Sequence, residues 1–202
     1  MIFIGDLHGN TQRHIEIINK FPLEETIQIG DYGFSKQHSF FLLNVDTDKH
    51  KVLFGNHDDY NFLNEKHSLG NYGCRNIITK DNETKKLFWY RGAWSIDYKL
   101  RTKDFDWWEE EEIRDENLIQ EIKLFYLKEK PDIVISHDCP RFIYPQLFNI
   151  FGDTSITSLV LSQLFELHKP KEWYFGHHHK NRQMMFEDTL FRCINTGDYI
   201  QL

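Results

Sequence analysis

The side chains best suited to chemistry fall in five short blocks of the sequence. Asp6 and His8 flank one residue, Asp31 follows Gly30, and Gly55 opens the run Asn56-His57-Asp58. His137 comes later, and His177 and His179 follow Gly176. Two carboxylates, several imidazoles and an amide oxygen make a hard-to-borderline donor set that suits Zn, Mn or Fe. The donors suffice for two ions if one carboxylate bridges them. The chain carries eleven histidines, and 31 Asp and Glu against 24 Lys and Arg give it a formal charge of -7. Nucleic acid is bound through clustered Lys and Arg, so this balance argues against a broad phosphate-binding face and toward metal.

Elements must bring these blocks together, and each block closes a short apolar run. The runs cover residues 2–4, 27–29, 52–54, 133–135 and 173–175, all rich in β-branched or aromatic residues. Such runs read as buried strands, and in open α/β folds strand ends gather into a ligand crevice. Helices are predicted between them. One spans 11–20, carrying Ile15, Ile17 and Ile18 before Phe21-Pro22. A second spans 109–130 up to Pro131, its acidic start from Glu109 to Glu112 read as a solvated first turn. A third is capped by Asp153 or Thr154, buries one face with Ile156, Leu159, Val160, Leu164 and Leu167, and stops at Pro170. The stretch from about 59 to 115 is less regular and reads as loops and a hairpin elaborating one edge.

With 202 residues, 40% hydrophobic and 27% charged, the chain has the composition of one soluble globular domain spanning 1–202. Cys74, Cys139 and Cys193 are odd in number and show no CxxC spacing, which favours a reducing compartment over a disulfide framework. The N-terminus lacks the basic region and cleavage site of a signal peptide, and no apolar stretch is long enough to span a membrane. The expectation is a cytoplasmic protein with no membrane partner.

All five blocks occur in order between residues 5 and 179, and this series resembles the calcineurin-like metallophosphoesterase superfamily, in its phage and bacterial form. The resemblance implies an α/β four-layer sandwich of two mixed β-sheets flanked by helices. It also implies that Asp6, His8 and His179 hold a first metal, that Asn56, His137 and His177 hold a second, and that Asp31 bridges them. The cofactors would be two divalent ions, Mn foremost, with Fe, Zn or Ni as alternatives. A hydroxide between the ions would attack a phosphomonoester or phosphodiester. His57 would face the leaving oxygen as proton donor or transition-state stabiliser, and Asp58 would orient His57.

Gly5, Gly30, Gly55 and Gly176 each precede a ligand position, where a missing Cβ lets strand ends crowd around the ions. Gly9, after His8, is placed to aim an amide at an anionic oxygen. His14, His38, His50, His67 and His168 lie in no motif and read as solvated or core residues, and His178 should point away from its ligand neighbours. Protein Ser/Thr phosphatases of the superfamily carry Asp-Arg-Gly and Gly-Asn-His-Glu, where this chain has Asp31-Tyr32-Gly33 and Gly55-Asn56-His57-Asp58. The missing arginine weakens the case for a phosphoprotein substrate. The segment from Arg91 to Asp97, followed by Arg101 and Trp107-Trp108, is similar to a block of phage and bacterial metallophosphoesterases. Arg91 and Arg101 are candidates to supply the cationic substrate contact, with surface ion pairs as their plain alternative. Tyr32, Phe34, Tyr60 and Trp94 are candidates to stack a nucleobase, or else core residues. The reading favours a small phosphoester, including a nucleotide, over long nucleic acid. A phage-type protein phosphatase, a nuclease and a non-catalytic scaffold are the rivals, the last disfavoured because every ligand position is filled.

Overall fold

A computed structural model describes residues 1–33, 45–62, 66–152 and 155–202. Each of the five apolar runs forms a strand. The described strands are β1 (Ile2–Ile4), β2 (Thr26–Ile29), β3 (His50–Leu53), β4 (Tyr72–Ile78), β5 (Thr84–Tyr90), β6 (Ile133–Ser136), β7 (Glu172–Phe175), β8 (Arg182–Phe186), β9 (Thr189–Cys193) and β10 (Tyr199–Gln201). Helices α1 (Thr11–Lys20), α2 (Glu116–Glu129), α3 (Ile143–Leu147) and α4 (Ile156–Leu167) lie between and around them. The strands form two mixed sheets, in the orders β10-β1-β2-β3 and β4-β5-β6-β7-β9-β8. In the first, β1 runs parallel to β2 and β2 to β3, with β10 antiparallel at the edge. In the second, β5, β6, β7 and β9 are parallel, and β4 and β8 close the edges antiparallel.

Side chains alternate between the two faces of each strand, and this sorts the apolar residues into layers. Phe3, Ile27 and Ile29 of the first sheet meet Leu87, Ile133, Ile135 and Tyr174 of the second. On the outer face of the first sheet, Ile2, Ile4 and Val52 pack against Ile17 of α1. On the outer face of the second, Phe88, Val134, Trp173 and Phe175 pack against Ile122 and Tyr126 of α2 and Leu161, Leu164 and Phe165 of α4. The result is a helix-sheet-sheet-helix sandwich, and burying each of these large side chains contributes about 1.5–3 kcal/mol.

Several local expectations are corrected. Helix α2 begins at Glu116 because Asp115 caps it, accepting from the amides of Asn117 and Leu118. The acidic run ahead of it is a separate turn of 3-10 helix at Glu109–Glu111. Glu111 and Glu112 are buried there, not solvated. Glu112 Oε1 accepts from the Ser155 hydroxyl and the Thr157 amide, both at 2.9 Å, placing negative charge at the N-terminus of α4. The cap of α4 is Ser155, whose hydroxyl oxygen accepts from the Ser158 amide. Asp153 and Thr154 lie outside the described residues, as do Phe34 and His38. The buried face of α4 carries Val160, Leu161, Leu164 and Phe165, whereas Leu159 and Leu167 are exposed. The expectation for the irregular stretch needs no such change, since its hairpin β4-β5 lies at one edge of the large sheet, where β5 pairs with β6. Among the described residues, no helix is long and apolar enough to cross a membrane.

Candidate metal centre

The ligand positions come from the ends of five strands. Asp6, His8, Asp31 and Asn56 follow β1, β2 and β3 of one sheet, and His137, His177 and His179 follow β6 and β7 of the other. The chain turns sharply at these ends. His8, Asp31, His177 and His179 all have left-handed backbones, with φ of 45°, 54°, 64° and 50°. Such conformations cost of order 1–3 kcal/mol in residues with side chains and persist where surrounding structure enforces them. Close packing demands glycine beside them. A Cβ on Gly55 would sit 2.2 Å from Asp31 Oδ1, and one on Gly176 would sit 2.2 Å from Asp6 Oδ1.

Donor atoms converge in two groups that share Asp31. Asp6, His8, Asp31 and His179 form one, and Asp31, His137 and His177 form the other, each with its donor atoms within 4.8 Å of one another. In the first, His8 Nε2 lies 2.9 Å from His179 Nε2, which is 3.0 Å from Asp6 Oδ2. In the second, His137 Nε2 lies 3.2 Å from both Asp31 Oδ1 and Asn56 Oδ1. Asp31 Oδ2 is buried and accepts no hydrogen bond, and the buried Asp6 Oδ2 has the His179 imidazole as its close polar neighbour. Buried carboxylate oxygens are normally satisfied, so two facing clustered imidazole nitrogens fit a site made for cations.

Neighbouring groups orient these donors. His137 Nδ1 donates to the Ile29 carbonyl at 3.0 Å, which leaves Nε2 to face the centre. Asn56 donates its amide to Ser95 Oγ at 3.0 Å, and the Ser95 hydroxyl donates to Glu111 Oε2 at 2.6 Å. Asn56 Oδ1 is thereby turned toward His137 Nε2. Burial pushes the Glu111 carboxyl above its usual range, although the bonds from Ser95 oppose this. Burial works against charge on His137 too, yet the adjoining Asp31 carboxylate outweighs it and lifts the imidazole to about 10. Asp31 is correspondingly held below the usual carboxylate range. His177, half-buried at the floor of the cleft, is lowered to about 4 by burial.

His57 sits beside the centre, its amide donating to Asp31 Oδ1 at 2.8 Å. The Arg101 guanidinium lies 3.0 and 3.1 Å from the two ring nitrogens and is held by Asp97 at 2.8 Å. Burial lowers the pKa of His57, the nearby Asp31 opposes this, and Arg101 adds to the lowering. A cleft of about 530 Å³ opens over Asp31, Asn56, His57, His177 and His179, and Arg101 lines it.

The remaining predicted residues divide between the cleft and the interior of the fold. The two oxygens of Asp58 accept from the amides of Gly33 and Gly55, both at 2.8 Å, so its carboxylate pins two strand-end loops, while the Arg101 guanidinium and the edge-on His8 ring meet the His57 ring. Arg91 is buried, donates to Asn71 Oδ1 and the Glu110 carbonyl, and stacks over Tyr60. It is a structural pin and does not line the cleft. The Gly9 amide donates to the Tyr32 carbonyl at 2.7 Å and so is spent within the fold. Tyr32 is buried against His14, and Tyr60 packs on Phe54, leaving Trp94 as the one of the four aromatics that lines the cleft among the described residues. His178 stacks on Phe148 with centroids 3.9 Å apart and points Nε2 to Asp138 Oδ1 at 3.4 Å. His14, His50 and His67 are buried. The roles of Ser95, Glu111 and Asp97 were not foreseen. The one sequence signal for them was their position in the irregular stretch after β5.

The two-sheet sandwich gathers candidate metal-ligand groups at its strand ends, the arrangement of a metal-dependent hydrolase. The family model for calcineurin-like phosphoesterases matches residues 1–181, and the chain belongs to that family. Solved structures share the fold at low identity. GAP50, the anchor in the inner membrane complex of Plasmodium, is 14% identical with a TM-score of 0.55, the match covering 98% of this chain and 72% of that one. The protein TT1561 of Thermus thermophilus is 11% identical with a TM-score of 0.54, covering 97% and 89%. The phosphopantetheinyl hydrolase of Mycobacterium tuberculosis is 11% identical with a TM-score of 0.51, also covering 97% and 89%. Comparison with curated proteins finds no match.

Proposed function

We propose that the chain hydrolyses a small phosphomonoester or phosphodiester at a two-ion centre, Asp6, His8 and His179 holding one ion, Asn56, His137 and His177 the second, and Asp31 both. The observation that carries this reading is the pair of donor groups sharing Asp31, with a buried, unbonded carboxylate oxygen on Asp31 and a buried one on Asp6 that faces His179. Bound divalent ions would supply Lewis acidity and an activated water at neutral pH, and Mn suits the mixed donor set.

The chain's own residues then position and stabilise. Arg101, fixed by Asp97 at the cleft, offers guanidinium N–H groups to phosphoryl oxygens, in the role that the missing Asp-Arg-Gly arginine would play. His57, tied to Asp31 through its amide, presents a neutral ring whose N–H can donate to the departing oxygen as charge builds there. Asp58 keeps the Gly33 and Gly55 loops in register so that Asp31 and His57 keep their places. The free Cys74, Cys139 and Cys193 support a reducing, cytoplasmic setting.

The test is a panel of phosphomonoesters, diesters, cyclic nucleotides, phosphopeptides and polymers, assayed with Mn after chelation, for wild type, Asp31→Asn and His57→Ala. Activity that returns with Mn and is lost in both variants is the expected result. Unchanged metal content and turnover in Asp31→Asn would overturn the two-ion reading. Turnover of phosphopeptides alone would move the assignment to a protein phosphatase, and polymer cleavage with steep salt dependence would move it to a nuclease.

A further inference from the structure

The cleft beside the centre is much larger than one phosphoryl group needs, and what lines it beyond the ligands says what else it holds. Its volume of about 530 Å³ lies in the range of small-molecule sites. Trp94 and Ile96, from the segment after β5, and Ile150 and Phe151, from the segment after α3, bring apolar side chains to it. Ile96 is 81% exposed and Phe151 is 73% exposed. Two separate segments thus spend large apolar residues on one opening next to a polar centre, where packing of the fold does not require them.

The polar side chains of the same cleft are already engaged. The Tyr144 hydroxyl donates to Asp138 at 2.5 Å, the Ser155 hydroxyl donates to Glu112 at 2.9 Å, and Asp97 pairs with Arg101 at 2.8 Å. A sugar or glycerol moiety would lose water there and find few free partners, which costs affinity. An apolar group would cover the exposed Ile, Trp and Phe surfaces and gain from it. Resting on the phosphoesterase reading above, we infer that the substrate class is phosphoesters whose organic group is flat and apolar, with that group held by Trp94, Ile96, Ile150 and Phe151 while the phosphoryl group meets Arg101 and the metal ligands.

The test compares 2-phenylethyl phosphate with glycerol 1-phosphate, two alkyl esters chosen so that the leaving oxygens are chemically alike. Removing a few methylene equivalents of apolar contact is worth roughly 10-fold or more in kcat/KM. The Mn-loaded wild type should prefer the phenylethyl ester by about that factor. Ile96→Ser and Phe151→Ser should each shrink the ratio of the two kcat/KM values. Binding of 2-phenylethylphosphonate and methylphosphonate, measured by calorimetry, gives a readout independent of turnover. If neither ester is hydrolysed, the catalytic reading fails, while a binding preference for the phenylethyl compound that is lost in both variants still sustains the apolar site. Equal handling of the two esters, equal binding of the two phosphonates, or equal losses on both in the variants would overturn the inference. So would a phosphopeptide that binds more tightly than the phenylethyl compound and depends on the same wall residues.

Discussion

Arg91 and Arg101 look interchangeable in the sequence, two arginines in one aromatic, charged stretch, and the structure gives them opposite work. Arg91 is spent inside the fold on Asn71, the Glu110 carbonyl and the Tyr60 ring, whereas Arg101 stands in the cleft against His57. Arg91→Ala should therefore lower stability by about 2–3 kcal/mol through its buried partners and leave KM unchanged, as denaturant unfolding and steady-state kinetics would show. Arg101→Ala should leave the melting temperature nearly unmoved and reduce kcat by about 100-fold or more, the usual loss for a donor aimed at developing charge. The reverse pattern would exchange their roles. Ser95 belongs to the same scale, because it links Asn56 to the buried Glu111. Ser95→Ala leaves the Asn56 amide free to turn, and it should weaken Mn binding by about 10-fold in a metal titration. An unchanged affinity would reduce the Ser95–Glu111 link to packing. No spacing rule announces such a link, since the three residues meet only after two loops have folded.

At the scale of elements, what could be read from the sequence was what repeats locally. The apolar runs of β1, β2, β3, β6 and β7 are buried on both faces, so apolar residues dominate them, Gln28 of β2 being the polar exception within a run, and their ends are marked by glycine or serine before a ligand position. Helix α1 matched its predicted bounds because Phe21-Pro22 closes it. The strands β8 and β9 were missed, and the reason is visible. β8 is a largely exposed edge, and its turn to β9 places Glu187 and Asp188 at φ of 44° and 65°, a conformation usually announced by Asn-Gly. The acidic run before α2 misled because charge alone cannot distinguish a solvated turn from carboxylates buried on Ser95 and Ser155. Helix α1 carries a testable element of its own, His14, buried against Tyr32 with ring centroids 5.6 Å apart. Burial first, and the nearby His50 second, lower its pKa from 6.5 to about 4. The unfolded chain then binds the extra proton between those values, so His14 supports stability fully above pH 6.5 and withdraws that support as pH falls toward 4. The effect is on the order of 3 kcal/mol across that window. His14→Phe should flatten the fall of melting temperature between pH 6.5 and 4, and an unchanged slope would show that His14 is not held neutral in the fold.

At the scale of the whole molecule, the donor set joins two halves that otherwise meet through an apolar seam and a few polar links, such as the Arg75–Glu25 ion pair and the Gly92 amide on the Phe54 carbonyl. Asp6, His8, Asp31 and Asn56 leave the four-stranded sheet, while His137, His177 and His179 leave the six-stranded one, and Asp31 lies 3.2 Å from His137 across the seam. An ion held there ties sheet to sheet and relieves the crowding of Asp6 and Asp31 in a chain of formal charge -7. Two divalent ions would bring that charge to about -3. Binding to the folded state alone stabilises by about 2.7 kcal/mol when the free ion is at 100 times its dissociation constant. For a chain of this size that corresponds to a rise of roughly 5–10 °C in Tm. Chelation should therefore lower the Tm of the wild type by about that amount, and Mn should restore it. Asp31→Asn, which removes the shared ligand and the carboxylate that His137 faces, should show a Tm indifferent to both chelator and Mn. A wild type whose melting ignores chelation would mean that the two sheets are held by their apolar seam and its few polar links without the ions, and that the strand-end cluster does not bind ions tightly enough to couple them.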